Sequence, residues 1–328
     1  MPSPRILSRY RQQVISLLQG ILKEEGPLSR LLRYPLGLEE ADGAPGPGIG
    51  GKLLRPSLVC FSCEALGGEP ERALPLACAL ELIHNFSLVH DDIQDGDELR
   101  RGRPTTWKAF GAAQAINAGD GLLVLALRIA LQAQAPPEVV LAAQGALLSA
   151  TFRMIEGQAL DLSLEGAWDV GVERYLYMAK RKTGALLGCA LELGALAAGR
   201  PELLPAHRKL GEVLGLAFQI RDDFLGIWGD PAVTGKPVGS DLARGKRSWP
   251  VAFALERDPA LARLLSREPV PVEEALERLS ALGAREAAEA AARGYAEEAL
   301  QAAQGLPWTN EAKDMFKELL DFLLEREA

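Results

Sequence analysis

Residues 90–107 of the chain read HDDIQDGDELRRGRPTTW, a stretch that places five carboxylates within eight residues. The acids are Asp91, Asp92, Asp95, Asp97 and Glu98. Two arginines, Arg100 and Arg101, follow almost at once. Because like charges repel one another on a helix, a solvated face normally interleaves lysines among its acids. The pattern therefore indicates a functional acidic site beside a cationic turn.

The first three aspartates share one face of a predicted helix. The segments GGEP and GRP bound a helix that is expected over residues 71–98. Each helical residue turns by about 100°, which places Asp91, Asp92 and Asp95 within an arc of about 100°. Crowded carboxylates raise one another's pKa unless a cation lies among them. Oxygen ligands without a His or Cys partner favour a hard ion, so the cluster predicts Mg²⁺ or Mn²⁺.

Two other interpretations of this stretch are weaker. A merely solvated acidic face is disfavoured near a helix C-terminus, where the macrodipole is negative. The pair His90–Asp91 is typical of metal phosphohydrolases, but the other two histidines, His84 and His207, have no matching acids.

A second acidic cluster lies in FQIRDDFLGIWGD, residues 218–230. Asp222 and Asp223 are followed at position 226 by glycine, where a strict repeat of the first pattern needs an aspartate. If the helix continues, Gln219, Asp222, Asp223 and Asp230 fall within an arc of about 100°, although GDP is expected to end the helix near Asp230. Two acidic faces that point at one another across a helical bundle would clamp several metal ions.

Several cations are candidates for binding an anionic ligand. They are Lys52, Arg55, Arg100, Arg101, Lys182, Lys236 and Lys246. Each one alone is compatible with a solvated surface position, but arginine forks suit phosphate oxygens. Together with two acidic clusters, the set predicts a site for two diphosphates.

The whole chain indicates an all-α protein. Its 328 residues are 48% hydrophobic and 24% charged, with a net charge of −8 that argues against nucleic acid or an anionic membrane as a partner. Gly and Pro clusters separate Ala- and Leu-rich segments of helical periodicity, among them residues 137–165 and 172–199, which are expected to be mostly buried helices. No signal peptide and no uninterrupted apolar run of about 18 residues is found, so we expect a cytoplasmic protein without a membrane span. One domain over residues 1–328, with ten or more helices, is expected.

Two motifs are rejected as functional. GPGIGGKL, residues 46–53, begins like a phosphate-binding loop, but Leu53 stands where Ser or Thr is required and no buried strand precedes it. CFSC, residues 60–63, has the spacing of half a zinc site without a second half, so buried apolar thiols are favoured.

At this point the motifs resemble those of a known family, the trans-prenyl diphosphate synthases of the isoprenoid synthase superfamily, and more narrowly its short-chain members. The resemblance covers about 200 of the 328 residues. It rests on GKLLRP, ELIHNFSLVHDDIQD, LRRGRPTTW, GDGLL, IEGQALDL, KTGALL, FQIRDDFLGIWGD and GKPVGSDLARGK, in that order. It implies an isoprenoid synthase-type helical bundle around a central cavity.

The resemblance also implies roles for individual residues. Asp91, Asp92 and Asp95 would bind Mg²⁺ on an allylic diphosphate, and Asp222 and Asp223 would bind a further ion, two to three ions in all. The isopentenyl diphosphate would be held by Lys52, Arg55, His84 and Arg101. The allylic diphosphate would be surrounded by Arg100, Lys182, Thr183, Gln219, Lys236 and Lys246. Gly226 departs from the family's DDxxD motif, which leaves open whether Asp230 or water completes that shell.

The product and the assembly follow from the same resemblance. Phe86 and Ser87, five and four residues before Asp91, resemble the pattern of geranylgeranyl diphosphate synthases, although Phe86 could equally be ordinary core. Farnesyl diphosphate is the competing product. The competing functions are a non-catalytic partner subunit of another synthase and a terpene cyclase, which usually has a more aromatic pocket than a chain of 6% aromatic residues provides. A homodimer is implied by the family.

Overall fold

The computed structural model describes residues 3–164, 167, 169–234 and 237–325. The predicted all-α class is confirmed. The first part of the chain forms the helices α1 Arg5–Arg9, α2 Arg11–Ile21, α3 Ser29–Arg33, α4 Leu54–Ala65, α5 Pro70–Gln94, α6 Thr106–Phe110, α7 Ala112–Ala130 and α8 Pro137–Leu164. A two-stranded antiparallel hairpin, β1 Leu99–Arg100 and β2 Arg103–Pro104, lies between α5 and α6.

The second part is also helical. It forms α9 Val172–Ala179, α10 Ala185–Ala197, α11 Leu204–Trp228, α12 Pro231–Thr234, α13 Ser240–Ala243, α14 Trp249–Arg257, α15 Leu261–Leu265, α16 Val272–Ala281, α17 Ala284–Gln304 and α18 Asn310–Glu325. A π-helical segment, Lys180–Gly184, joins α9 to α10, and a 3₁₀ turn, Pro201–Leu203, precedes α11.

The end of the helix expected over residues 71–98 was wrong. Helix α5 ends at Gln94, and Asp95 caps it with its N–H bonded to the Asp91 carbonyl at 2.8 Å. Gly96 then takes the left-handed conformation at φ +67°, which turns the chain into the hairpin. Asp91, Asp92 and Asp95 therefore keep helical positions, whereas Asp97 and Glu98 do not.

The chain divides into two compact units. The N-terminal unit comprises Arg5–Leu148 and Cys189–Leu204, and the C-terminal unit is chiefly Ser149–Gly188 and Pro205–Ala328. That residues 1–328 form one domain stays a prediction, as does the opposition of the two acidic helix faces.

Close helix packing builds the core of the N-terminal unit. A β-carbon at Gly194 of α10 would lie 2.4 Å from the Val59 carbonyl oxygen of α4, so this crossing needs glycine. The Ser62 hydroxyl donates to the Leu191 carbonyl at 2.7 Å across the same contact. All four cysteines are free and buried, as expected of apolar thiols.

Glycines also allow close helix packing in the C-terminal unit. A β-carbon at Gly211 of α11 would lie 2.3 Å from the Leu187 carbonyl oxygen, and one at Gly215 would lie 2.5 Å from Gly184 Cα. These glycines let α11 approach the π segment and the first turn of α10 closely. The approach fixes the position of the acidic second motif on α11.

Among the described residues, three helices, α5, α7 and α8, are long and apolar enough to cross a membrane, judged by length and composition alone. In α5, 67% of the most apolar window is buried in the protein, but in α7 and α8 only 33% is. The expectation that residues 137–165 are mostly buried is therefore wrong for one face of α8, where Leu141 is 74% exposed and Phe152 is 65% exposed. The absence of a membrane span stays a prediction.

Candidate active site

The first aspartate motif lies at the C-terminal end of α5, next to the hairpin. Asp92 is buried, and its Oδ1 accepts a hydrogen bond from Arg100 Nε at 2.7 Å. Burial raises the pKa of the Asp92 carboxyl, and the Arg100 guanidinium opposes that shift. Asp91 is half-buried and Asp95 is exposed. The structure thus pairs one predicted metal ligand directly with a predicted diphosphate ligand.

A cavity of about 260 Å³ in the N-terminal unit brings several predicted site residues together. Its walls include Asp92, Arg100, Arg101 and Arg103. The remaining wall comes from residues 34–37 and 47–50, from Asn85, Leu88 and Val89, and from residues 104–106. Three guanidinium groups and one carboxylate on a single cavity suit an anionic ligand.

Arg101 is held beside the segment that carries Lys52. A β-carbon at Gly51 would lie 2.7 Å from Arg101 Nη2, so a larger residue there would push the guanidinium group aside. Gly51 has φ +79°, and its carbonyl accepts from Arg11 Nη1 at 2.8 Å. Lys52 follows and is exposed. The backbone next to Lys52 thus lies against Arg101, and the binding of one diphosphate by both side chains stays a prediction.

Burial lowers the pKa values of Arg55 and His84, and it leaves one Arg55 nitrogen without a hydrogen bond to the described residues. Arg55 Nε is buried and has no hydrogen-bond partner among the described residues. Burial lowers the Arg55 pKa, while the Glu81 carboxylate raises it. Burial, and then Arg55, Arg101 and Arg100, hold the His84 pKa well below its ordinary value, so the imidazole is neutral at neutral pH. A buried guanidinium with an unsatisfied donor indicates a missing acceptor.

Phe86 and Ser87, the predicted chain-length residues, lie on α5. Phe86 is 5% exposed, and its ring packs edge-on against His90 with centroids 4.9 Å apart. The Ser87 hydroxyl donates to the His84 carbonyl at 2.8 Å. Neither residue lines the 260 Å³ cavity, which Asn85, Leu88 and Val89 of the same helix reach instead.

The second aspartate motif lies in the C-terminal unit, where Asp223 is fully buried and Asp222 is exposed. The Asp223 carboxylate accepts from the Tyr175 hydroxyl at 2.6 Å, from the Trp249 N–H at 2.8 Å and from Gln219 Nε2 at 3.0 Å. Burial raises the Asp223 pKa, and Lys246 Nζ, 3.4 Å away, opposes this. Four donors thus hold one buried carboxylate.

Two further predicted residues lie on the π segment Lys180–Gly184. Lys182 Nζ donates to Asp161 Oδ2, and the Thr183 hydroxyl donates to the amide oxygen of Gln219. A β-carbon at Gly157 would lie 2.2 Å from the Lys182 backbone nitrogen, so the backbones of α8 and this segment pack closely together. π-Helical turns inside α-helices are frequent at functional sites.

The structure connects most of the predicted residues of the C-terminal unit and adds some that the sequence did not indicate. Thr183, Gln219, Asp223 and Lys246 form one hydrogen-bonded chain. Tyr175, Asp161 and the Trp249 N–H were missed, although Asp161 lies in the quoted motif IEGQALDL. Lys236 lies outside the described residues. Within the described ranges, no three His, Cys, Asp or Glu side chains converge as a ready-made metal site.

Comparison with known proteins shows similarity to one family. The model of the polyprenyl synthetase family matches residues 47–280. A (2E,6E)-farnesyl diphosphate synthase of Mycobacterium tuberculosis is 45% identical over 240 residues, 72% of this chain and 66% of that protein, which is just under two thirds of its length. A geranylgeranyl diphosphate synthase of the same organism is 43% identical over 282 residues, 84% of this chain and 80% of that protein.

Solved structures match over nearly the whole chain. A polyprenyl synthetase from Streptomyces coelicolor has a TM-score of 0.90 at 38% identity, with 97% of this chain and 98% of that one covered. A polyprenyl synthase from Caulobacter crescentus, described as complexed with calcium and isoprenyl diphosphate, has a TM-score of 0.84 at 28% identity, with 100% of both chains covered. The chain belongs to the polyprenyl synthetase family, a family of prenyl diphosphate synthases, which are transferases.

Proposed function

We propose that the protein is a short-chain trans-prenyltransferase that condenses isopentenyl diphosphate with allylic diphosphates and makes chiefly geranylgeranyl diphosphate. The observation that carries the proposal is the 260 Å³ cavity, onto which Asp92, Arg100 and Arg101 all open. Cations for a diphosphate and an acid for a divalent metal thus line a single cavity.

The substrate-binding part of the proposal rests on charge and on an unsatisfied donor. Arg55 Nε is buried without a partner among the described residues, and a diphosphate oxygen would satisfy it. Neutral His84 can donate one N–H to the same group. With Lys52 and Arg101, these residues would bind the diphosphate of isopentenyl diphosphate.

The metal part of the proposal fits the donor set. Both aspartate motifs offer only oxygen atoms, the ligands that Mg²⁺ and Mn²⁺ prefer. Bound Mg²⁺ ions, two to three by resemblance, would neutralise the charge that develops on a leaving diphosphate. The metal ligands proposed are Asp91, Asp92, Asp95, Asp222 and Asp223.

The remaining residues would bind and orient the allylic diphosphate. They are Arg100, Lys182, Thr183, Gln219, Lys236 and Lys246. Ion pairs with Asp92 and Asp161 already hold Arg100 and Lys182 in place, which reduces the entropy lost when an anion binds. Because a diphosphate leaves and can itself accept the proton that is lost, no side-chain nucleophile is required.

Farnesyl diphosphate is the competing product, because relatives of both kinds lie at 45% and 43% identity. We favour geranylgeranyl diphosphate because a bulky Phe86 stands five residues before Asp91 and a small Ser87 four residues before it. The buried position of Phe86 supports a role as a barrier, although it does not line the described cavity.

We also propose a homodimer. Helix α8 exposes Leu141, Leu148, Phe152 and Ile155, which recur at helical spacing on one face. An exposed apolar stripe of this kind is typical of an interaction surface. Light scattering should give twice the 35.2 kDa monomer mass, and a monomer mass at micromolar concentration would contradict the dimer. A cytoplasmic location, without nucleic acid as a partner, completes the proposal.

Diphosphate release tests the activity. We expect release that requires Mg²⁺, isopentenyl diphosphate and an allylic diphosphate together. Asp91→Asn should abolish it while the circular dichroism spectrum and melting temperature stay those of the wild type. Full activity of Asp91→Asn at saturating Mg²⁺ would contradict the metal role. Release from one substrate alone would favour a cyclase or a phosphohydrolase.

A further inference from the structure

Gly226 of α11 stands where the DDxxD motif of the family carries its third acid, and another carboxylate occupies that space. A β-carbon built at Gly226 would lie 2.2 Å from Asp241 Oδ2 and 2.5 Å from Asp241 Cγ. Side-chain atoms do not approach so closely, so any larger residue at 226 would displace Asp241 from this place. The absent side chain and the Asp241 carboxylate are therefore alternatives for one position.

The backbone holds Asp241 against the helix. The Gly239 N–H donates to the Ile227 carbonyl at 2.9 Å, and the Ser240 hydroxyl donates to the Gly226 carbonyl at 3.2 Å. Gly239 has φ +74°, and a β-carbon there would lie 2.4 Å from Val272 Cγ1, so the turn requires glycine. The Asp241 side chain is consequently fixed by the turn that precedes it.

Asp241 also belongs electrostatically to the second motif. Lys246 Nζ lies 3.3 Å from Asp241 Oδ2 and 3.4 Å from Asp223 Oδ1, so the two acids share one ammonium group. Both side chains are buried, Asp241 at 7% and Asp223 at 0% exposure. At this range in a buried site, two acids and one cation act as one charge cluster.

Asp230, the alternative left open by the sequence, is engaged differently. It follows the end of α11 and is exposed. Its Oδ1 accepts the Ala232 N–H at 2.8 Å, which is the bond of a helix N-cap to α12. The helical face on which Asp230 was expected to lie does not extend to it.

We infer that Asp241 supplies the third carboxylate of the second acidic cluster in place of the acid missing at position 226. In the free protein it holds Lys246 together with Asp223. When a divalent ion and a diphosphate bind, it provides oxygen for the ion's coordination shell, directly or through water. The inference rests on the proposed function for the presence of the metal, but not for the placement of the carboxylate.

A residue swap tests this role by binding rather than by turnover. The probe is Mg²⁺ with inorganic pyrophosphate, titrated calorimetrically into the wild type, Asp241→Ala, Gly226→Asp and the double variant. Loss of an acid in such a shell typically weakens metal affinity by about 10–100-fold. We expect a loss of about tenfold or more in Asp241→Ala, which removes the acid, and in Gly226→Asp, where two carboxylates clash at one position. The double variant should recover to within about threefold of the wild type, because one carboxylate again occupies the one position.

The other outcomes are decisive as well. Wild-type affinity in Asp241→Ala, or a double variant no better than Asp241→Ala, would overturn the inference. Asp241→Asn keeps the shape and removes the charge, so it tests the role even if the double variant does not fold. A loss in Asp230→Ala as large as that in Asp241→Ala would assign the role to Asp230. Absence of prenyl product in the wild type would refute the proposed function and leave this binding comparison intact.

Discussion

The Tyr175 hydroxyl makes one hydrogen bond to a buried carboxylate, and removing that bond should lower the stability of the protein. It donates to Asp223 Oδ2 at 2.6 Å, and both residues are buried. Tyr175→Phe removes this donor and keeps the ring, which packs in the core with Phe224 and Trp249. The Asp223 carboxylate would retain its bonds from the Trp249 N–H and Gln219 and its ion pair with Lys246. The substitution thus isolates one hydrogen bond to a buried charge.

The expected loss of stability follows from that single bond. Hydrogen bonds to charged groups contribute about 1.5–3 kcal/mol, and removing only an oxygen leaves little void. Because the bond favours the ionised carboxyl, its loss raises the Asp223 pKa further. Burial and Asp223 hold the Tyr175 pKa well above its ordinary value, so Tyr175 is a neutral donor at every relevant pH. The loss should be largest where Asp223 is ionised and should shrink in acid.

Urea unfolding followed by circular dichroism at pH 7.5 measures the effect. We expect Tyr175→Phe to lower the free energy of unfolding by about 1.5–3 kcal/mol. Tyr177→Phe, on the same helix but 52% exposed, is the control and should change it by less than about 0.5 kcal/mol. In an Asp223→Asn background the loss at Tyr175 should fall, since the charged acceptor is gone. An equal loss in both backgrounds would refute the reasoning.

Three further predictions concern other parts of the site. Phe86→Ala should lengthen the products if Phe86 limits the chain, and unchanged product length on chromatography would exclude that role. Gly157→Ala should lower the free energy of unfolding by about 1–3 kcal/mol and raise the KM of the allylic substrate, because its β-carbon would meet the Lys182 backbone. The control Gly294→Ala, on α17 with open space around it, should be neutral or stabilising, and equal effects would contradict the packing account. Below pH 6.5 His84 should make the free energy of unfolding fall by up to about 1.4 kcal/mol per pH unit, because only the unfolded chain protonates it there. His84→Gln should remove this part of the pH dependence. Parallel pH profiles of the two proteins in urea titrations would contradict the neutral imidazole.

The sequence was sufficient for features that rest on local pattern. Helix α5 begins at Pro70, one residue before the predicted start, because a proline after GGE is a strong start signal. Its end at Gln94 was missed because strands of two residues, β1 and β2, are too short to show a period of two. The residue types of both aspartate motifs were sufficient to place acids and cations near one another in each unit.

Features that depend on distant parts of the chain could not be predicted. The π segment Lys180–Gly184 interrupts a helix that was expected to be continuous. The close packing of Gly157 against the Lys182 backbone cannot be inferred from the local sequence around either residue. The Asp241 carboxylate fills the space of position 226 although no helical periodicity relates the two residues. Periodicity also predicts an apolar stripe on α8 without indicating whether that stripe is covered.

The central claim, that this chain elongates allylic diphosphates, is tested most directly by the mass of its products. Purified protein would be incubated with Mg²⁺, isopentenyl diphosphate and, in turn, dimethylallyl, geranyl or farnesyl diphosphate, and the products would be dephosphorylated and weighed by mass spectrometry. We predict a twenty-carbon alcohol as the main product from each starter. A fifteen-carbon product would keep the mechanism and refute the chain length. No product from any starter would contradict the account and favour a non-catalytic partner subunit.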